Sequence, residues 1–348
     1  MTRATPIRSI APDDPDDPGL IEAAAILRAG GLVAFPTETV YGLGADATDP
    51  AAVSRIFAAK GRPPTNPLIA HADGIDLARR CVADWPESAD SLARRFWPGP
   101  LTLVLPRSAM IPDVVTGGGE TVGVRVPGGA AARSLIARVG RPLAAPSANR
   151  STGISPTRAE HVSRDLDGRI DLILDAGPTD VGLESTVLDL TADPPRILRP
   201  GPIEAGAISD LLGRPVRSGA GDAPPPTRRA ASSPGLMAVH YAPRTRAVRV
   251  EPGEAVPELP PADRLAILVV GGDRPPMAGL DAGLRVDLPE PVGAARDLYD
   301  ALHRCDSSHS TLILVGMPPD LPAWAAIRDR LRRATSPAEP GPSARHQS

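Results

Sequence analysis

Between Lys60 and Asn66 the run Lys-Gly-Arg-Pro-Pro-Thr-Asn places an ammonium, a guanidinium and a carboxamide within seven positions. Its prolines exclude a helix interior or a central strand, so the run reads as a solvated loop. Cations beside neutral donors on such a loop suit a phosphate or a carboxylate. Lys60 is also the only lysine of the chain, the rest of its 38 basic residues being arginine. A lysine kept in so arginine-rich a composition marks a place where a compact, flexible ammonium is not interchangeable with a planar fork.

Further polar residues fall in turns or at strand ends, where α/β sheets place ligand sites. They are Thr39, His71, Thr121, Arg125, Ser147, Asn149, Ser155, Ser185 and Arg199. Lys60, Arg62, Arg125 and Arg199 supply cations, while the hydroxyls and Asn66 supply neutral hydrogen bonds. Singly, each has a structural reading: Thr39 and Asn149 as turn formers, Arg125 as half of an ion pair, His71 as a satisfied strand-end histidine. Together they describe a small-molecule anion cavity rather than a duplex-binding surface. Gly42 to Ala47 fits the loose pattern GxGxxA, but a polar Pro-Thr-Glu-Thr turn separates it from the preceding strand, and no acid lies about twenty residues on to hold a ribose. The chain has no GxxxxGK[ST], HExxH or GxSxG motif, and its six histidines are dispersed.

These groups are positioned by alternating strands and helices. Apolar runs at 32–35, 67–71, 96–105, 121–127, 183–190 and 195–201 read as strands. Helices are expected at 49–59 and in LIEAAAILR, AARSLIARV and TRAEHVSRDL, the first capped by Asp16 or Asp17 ahead of Pro18. The alternation predicts a mixed α/β sheet. At 348 residues, two domains are expected. Residues 213–234 have linker composition, and AVRV, RLAILVV and TLILVG with two amphipathic helices form a smaller α/β domain beyond. From Ser336 the chain is too polar and proline-rich to expect order.

A net charge of −3 advertises no nucleic-acid field, so an anion site must be local. Cys81 and Cys305 are far apart and fit a reducing cytoplasm without structural zinc. The N-terminal segment has no apolar core for a signal peptide, and no run is long enough to span a membrane. A cytoplasmic protein is the expectation.

The segments AFPTETVYGLG, KGRPPTNPL, FWPGPLTLVL, TVGVRVP, APSAN, SPTRAEHV, ESTVLDL and ILRPG occur in this order. In combination they closely resemble the YrdC-like domain of threonylcarbamoyl-AMP synthases. SPGLMAVHYAP, followed by a further α/β domain, resembles the longer, two-domain form, so the likeness spans about residues 15–335. It implies a strongly twisted mixed sheet of the YrdC-like type over 15–205, a linker lying over the active site at 206–245 and a smaller Rossmann-like domain over 246–335, ahead of the tail at 336–348 whose composition predicts disorder. It also implies that L-threonine, bicarbonate or CO2, and ATP give threonylcarbamoyl-AMP and pyrophosphate, for modification of an adenosine next to the tRNA anticodon. Thr39, His71, Arg125, Ala145 and Ser185 match positions that bind threonine. Lys60, Arg62, Asn66, Thr121, Ser147, Ser155, Arg199 and Tyr241 match positions at the nucleotide. One departure is the run Leu236-Met-Ala-Val before His240 and Tyr241, where members carry basic residues.

A carbamate is already an oxygen nucleophile, so the implied reaction needs positioning and charge neutralisation rather than a serine or cysteine. Lys60 and Arg62 are the expected catalytic cations, with Mg²⁺ held chiefly by the triphosphate and no protein metal site. No general base for the threonine ammonium is evident. The implied partners are these small substrates and a downstream tRNA threonylcarbamoyltransferase, with no membrane and no requirement for direct tRNA binding. A carbamoyl-adenylating hydrogenase-maturation protein would carry zinc fingers and an acylphosphatase module, absent here. An RNA-binding module would call for more basic charge and more aromatic residues.

Overall fold

A computed structural model describes residues 4–218, 240–272 and 276–338. They form two compact units. Residues 152–154 and 181–183 group with the second unit, although the sequence around them belongs to the first.

The first unit opens with β1 (Ile7–Ser9) and α1 (Pro18–Arg28). The Asp17 carboxylate accepts from the Gly19 amide at 2.7 Å, capping α1 as expected. There follow β2 (Val33–Phe35), β3 (Gly42–Asp46), α2 (Pro50–Lys60), β4 (Ile69–His71), α3 (Ile75–Arg80), α4 (Glu87–Phe96) and β5 (Leu101–Pro106). Next come α5 (Asp113–Thr116), β6 (Thr121–Arg125), α6 (Ala130–Val139), β7 (Leu143–Ala144), α7 (Ala159–Leu166) and β8 (Leu172–Asp175). The unit closes with β9 (Thr186–Asp189), β10 (Arg196–Arg199), α8 (Ala205–Leu212) and β11 (Arg217–Ser218).

Its strands make one mixed sheet in the order β1-β8-β2-β3-β7-β4-β6-β5-β9-β10-β11. One face carries the main apolar core, including Ala70, Leu103, Val124 and Leu188, closed by helix residues such as Leu20, Leu27, Ile56, Leu92 and Leu135. A fully buried leucine of this kind contributes roughly 1.5–3 kcal/mol.

Three stretches differ from expectation. Gly42 to Asp46 is strand β3, antiparallel to β2, and not a nucleotide loop. A Cβ on Gly44 would sit 2.7 Å from the Phe35 ring, so this glycine makes room for an aromatic side chain. Residues 206–218, read as the start of a linker, are largely α8 and β11. Ile208 is buried and Leu212 packs on the core, an i, i+4 stripe that composition alone conceals. The sheet also begins before residue 15, because β1 pairs in parallel with β8.

The second unit holds β12 (Ala247–Val250), β13 (Leu265–Val270), β14 (Leu284–Leu288), α9 (Pro291–Asp306), β15 (Leu312–Gly316), α10 (Ala325–Ala334) and β16 (Ser336–Pro337). Its five strands are all parallel, in the order β14-β13-β15-β12-β16. Ser336 and Pro337 fell in the expected tail. They are instead an edge strand on β12, a position that tolerates proline. The remainder of that tail, from 339, lies outside the described residues, as do 219–239 of the expected linker.

The two excursions are seated within this second unit. The Ala242 amide donates to the Thr152 carbonyl at 2.9 Å, beside a parallel bridge from Gly153 to Ala242. Gly182 has φ +76°, and a Cβ there would lie 2.2 Å from the Arg296 carbonyl oxygen of α9. Only glycine fits that approach.

Candidate active site

Strand register brings distant polar residues into one row. His71 of β4 pairs with Arg125 of β6. Because Leu103 pairs with Val124 in antiparallel β5 and β6, Thr102 falls opposite Arg125. Thr102 pairs with Val187 of β9, and Val187 with Arg199 of β10 beside a bulge. Paired residues share a sheet face. His71, Arg125, Thr102, Val187 and Arg199 therefore line up across adjacent strands, on the face opposite Ala70, Val124, Leu103 and Leu188 of the core. Along β6 the same face carries Gly123 and Thr121, both half-buried, whereas Val122 and Val124 between them are buried. From Arg125 to Thr121 this floor runs about 13 Å, at about 3.3 Å per residue.

Arg125 is 4% exposed. Its Nε donates to the Gly99 carbonyl at 3.1 Å, and its Nη2 to Glu38 Oε1 at 2.7 Å and to Thr39 Oγ1 at 3.0 Å. Thr39 is held in turn by the Thr37 hydroxyl, 2.8 Å away. The Pro-Thr-Glu-Thr turn after β2 thus faces the end of β6. Burial alone would raise the Glu38 carboxyl, but Arg125 and backbone amides outweigh it and hold it below the usual range. His71 is depressed to about 3, first by burial and then by the Arg125 charge, so it is a neutral imidazole at physiological pH.

At the other end of the row, the Arg199 Nη2 donates to the Ser185 carbonyl at 3.0 Å and to its hydroxyl at 3.2 Å. The Ser185 hydroxyl also lies 2.7 Å from the Thr102 hydroxyl. Ser155 joins this group one residue upstream, donating to Glu184 at 2.6 Å.

Lys60 requires a correction. It is not on a solvated loop: it is the last residue of α2 and only 2% exposed. Its Nζ donates to the Ser147 carbonyl at 2.5 Å, to the Asn149 carbonyl, and to the Asn149 side-chain oxygen at 3.3 Å. Three acceptors match the three donors of an ammonium. Burial, and secondly Arg62, hold its pKa well below the ordinary lysine value. The side chain therefore shapes the loop after β7, in which the Ser147 hydroxyl donates to Asn149 at 2.6 Å. Ser147 is bridged to Gly42, and the Ala148 amide donates to the Tyr41 carbonyl at 2.8 Å, joining this loop to the segment after Thr39.

Arg62 donates to the carbonyls of Asn66 and Pro67 at 3.3 and 3.0 Å, folding its own loop towards the start of β4. Arg62 and Asn66 are buried. The Ala145 amide donates to the Ile69 carbonyl at 3.1 Å, and a Cβ on Gly42 would lie 3.4 Å from its methyl group. Every expected site residue except Tyr241 lies in the first unit. Tyr241 belongs to the second, at φ +62°, with the His240 ring centroid 4.0 Å away, that of Tyr299 5.6 Å away, and the Arg330 guanidinium carbon 5.4 Å from its ring. The altered run Leu236 to Val239 lies outside the described residues.

Glu38, Thr102 and Glu184 were not singled out from sequence. Each had a faint signal: a carboxylate inside the Pro-Thr-Glu-Thr turn, a hydroxyl inside the apolar strand Leu-Thr-Leu-Val-Leu, and an acid directly ahead of Ser185. The arrangement offers cations and hydroxyls along one floor, suited to holding two anionic groups. Among the described residues, no group of three or more His, Cys, Asp or Glu is placed to hold a metal ion.

Comparison with known proteins agrees. Residues 25–201 match the Sua5/YciO/YrdC family model, described as "Telomere recombination", and residues 203–336 match the "Threonylcarbamoyl-AMP synthase, C-terminal domain". The threonylcarbamoyl-AMP synthase of Pyrococcus abyssi is 42% identical over 90% of this chain and 93% of its own length. That of Bacillus subtilis is 41% identical over 92% and 93%. The crystal structure of P. abyssi Sua5 complexed with L-threonine superposes with a TM-score of 0.83, at 38% identity, covering 95% of this chain and 98% of that one. With family models matched over most of its length, the chain belongs to the Sua5/YciO/YrdC family, in the form that carries the threonylcarbamoyl-AMP synthase C-terminal domain.

Proposed function

We infer that this chain is an L-threonylcarbamoyladenylate synthase, a nucleotidyltransferase that joins L-threonine, bicarbonate or CO2, and ATP. The observation that carries the reading is the Arg125 guanidinium. It is nearly buried and fixed on three sides by Gly99, Glu38 and Thr39, within a row that also holds His71 and, farther along, Arg199. A buried cation fixed in this way suits the threonine carboxylate. Thr39, His71, Ala145 and Ser185 complete the amino-acid end. Thr121, Arg199, Ser147, Ser155, Lys60, Arg62 and Asn66 serve the nucleotide and its phosphates. The floor from Arg125 to Thr121, about 13 Å long, suits an amino acid at one end and an adenylate towards the other.

The threonine nitrogen adds to the CO2 carbon and loses a proton, giving a carbamate. A carbamate oxygen then attacks the α-phosphorus, the bond to the bridging oxygen breaks, and pyrophosphate leaves. The buried cations hold the two anions together and offset the charge that develops on the leaving group. Lys60 contributes by fixing the loop from Ser147 to Asn149, and Arg62 by fixing Asn66. Mg²⁺ bound to the triphosphate would neutralise part of its charge, with no carboxylate of this site required to hold it. This fits a protein whose nearby carboxylates, Glu38 and Glu184, are already engaged by Arg125 and Ser155.

The activity belongs in the cytoplasm. Two buried free thiols, Cys81 and Cys305, suit a reducing compartment, and no helix among the described residues is long and apolar enough to cross a membrane. The adenylate passes to a tRNA threonylcarbamoyltransferase, without a requirement that this chain bind tRNA. The test is pyrophosphate release from labelled ATP, with each substrate omitted in turn. Release that requires threonine, bicarbonate and ATP together is the expected result; release without threonine or without bicarbonate would overturn the reading.

A further inference from the structure

We propose that Glu38 is a positioning residue for this reaction, locking the Arg125 guanidinium so that a single edge, Nη1, faces the amino-acid carboxylate. The inference deepens the reading above and rests on it. It starts from donor accounting. A guanidinium has five N–H groups. Those of Nε and Nη2 are taken up by Gly99, Glu38 and Thr39. Nη1 donates to none of the described residues, yet it is not among the sealed, unpaired polar atoms of the interior. A side chain only 4% exposed thus keeps two donors side by side at an open edge. Two charged donors on one nitrogen can take a carboxylate oxygen in a charge-assisted hydrogen bond.

Thr39 and Gly99 are neutral acceptors. Alone they would leave a desolvated cation without a counter-charge, free to turn Nη2 as well as Nη1 towards a ligand. Glu38 closes that second option and supplies the charge. The fold makes specific room for it. A Cβ on Gly128 would lie 3.1 Å from Glu38 Cδ, and one on Gly129 would lie 3.3 Å from the Glu38 backbone nitrogen. The Gly129 amide approaches the other carboxylate oxygen at 3.4 Å. The paired glycines after β6 are therefore the seat of this carboxylate, and the glutamate stays ionised there despite burial.

The test uses the full-length chain with Glu38→Ala, Glu38→Gln and Glu38→Asp. Steady-state kinetics are measured with threonine and ATP varied separately, and L-threonine binding is measured by calorimetry without ATP. In Glu38→Ala, the threonine KM and Kd are expected to rise at least about tenfold, while the ATP KM stays within about threefold. Glu38→Gln keeps an acceptor for Nη2 without the counter-charge and should recover part of the loss. If Glu38→Ala does not fold, Glu38→Asp carries the same test, because its shorter carboxylate cannot reach Nη2 in the same geometry. Unchanged threonine binding in the alanine or aspartate variant overturns the inference, as does a parallel rise in both KM values. A wild-type chain that binds threonine but releases no pyrophosphate sinks the reaction reading and leaves the calorimetric comparison to decide the role of Glu38.

Discussion

Replacing Lys60 with methionine tests whether its ammonium is a structural clamp. Methionine keeps much of the stem's volume and removes all three donors. The Ser147 and Asn149 carbonyls and the Asn149 side-chain oxygen then lose their shared partner in a closed space. An orphaned buried acceptor costs about 1–3 kcal/mol. Water reaching one of the three, together with the relief of no longer burying a charge, offsets part of that. A net loss of about 2–4 kcal/mol follows. At about 2–4 °C per kcal/mol for a domain of this size, the first unit should melt about 4–16 °C lower. The assay is thermal unfolding followed by circular dichroism, paired with pyrophosphate release below the melt. Adenylate formation should fall by about two orders of magnitude even where the chain is folded, because the loop that presents Ser147 loses its anchor. A Lys60→Met chain that melts within about 1 °C of wild type would refute the clamp, whatever its activity.

Thr102→Val is nearly isosteric and removes one hydroxyl from the pair with Ser185. It should raise the threonine KM about fivefold to twentyfold, by analogy with the loss of one buried hydrogen bond, and Thr102→Ser should restore it. His71 gives a signed pH dependence. Its folded pKa, about 3, lies below the ordinary histidine value of 6.5, so the unfolded chain takes up a proton that the folded one refuses. Its stabilisation is complete above pH 6.5 and falls with acid, by about 2 kcal/mol at pH 5. Urea midpoints measured from pH 7.5 to pH 5 should show this slope in wild type and lose it in His71→Gln. Gly182→Ala forces a Cβ to 2.2 Å from the Arg296 carbonyl oxygen at a φ of +76°. Amide exchange at 181–183 and along α9 should accelerate, by an amount corresponding to about 2–4 kcal/mol; unchanged exchange would show that the contact yields freely.

Much of the fold was legible because it rests on local rules. Asp17 before Pro18 and Asp49 before Pro50 cap their helices as those residue types dictate, and Gly61 ends α2 in the left-handed conformation. The motif residues of the first unit were likewise readable as a set. Register was not readable. Nothing local to Thr102 reveals that it lies opposite Arg125, since that follows from how two strands align across a gap in sequence. Burial misled for the same reason. Lys60 next to a proline-rich loop reads as solvated, but its acceptors come from a loop near residue 149, far along the chain. The linker implied from residue 206 gave way at 206–212, where the buried Ile208 lies on a short helix. At Ser336 and Pro337 composition hid an edge strand that needs few hydrogen bonds of its own.

The membership of residues 152–154 and 181–183 bears on modular exchange. A chain cut in the segment before His240 would not yield two self-sufficient pieces. The amino-terminal piece would retain two short internal stretches whose seats, Ala242 and the backbone of α9, had been removed with the other fragment. Swapping the carboxy-terminal part between relatives therefore transplants only part of a unit, and a working chimera has to carry both stretches along with it.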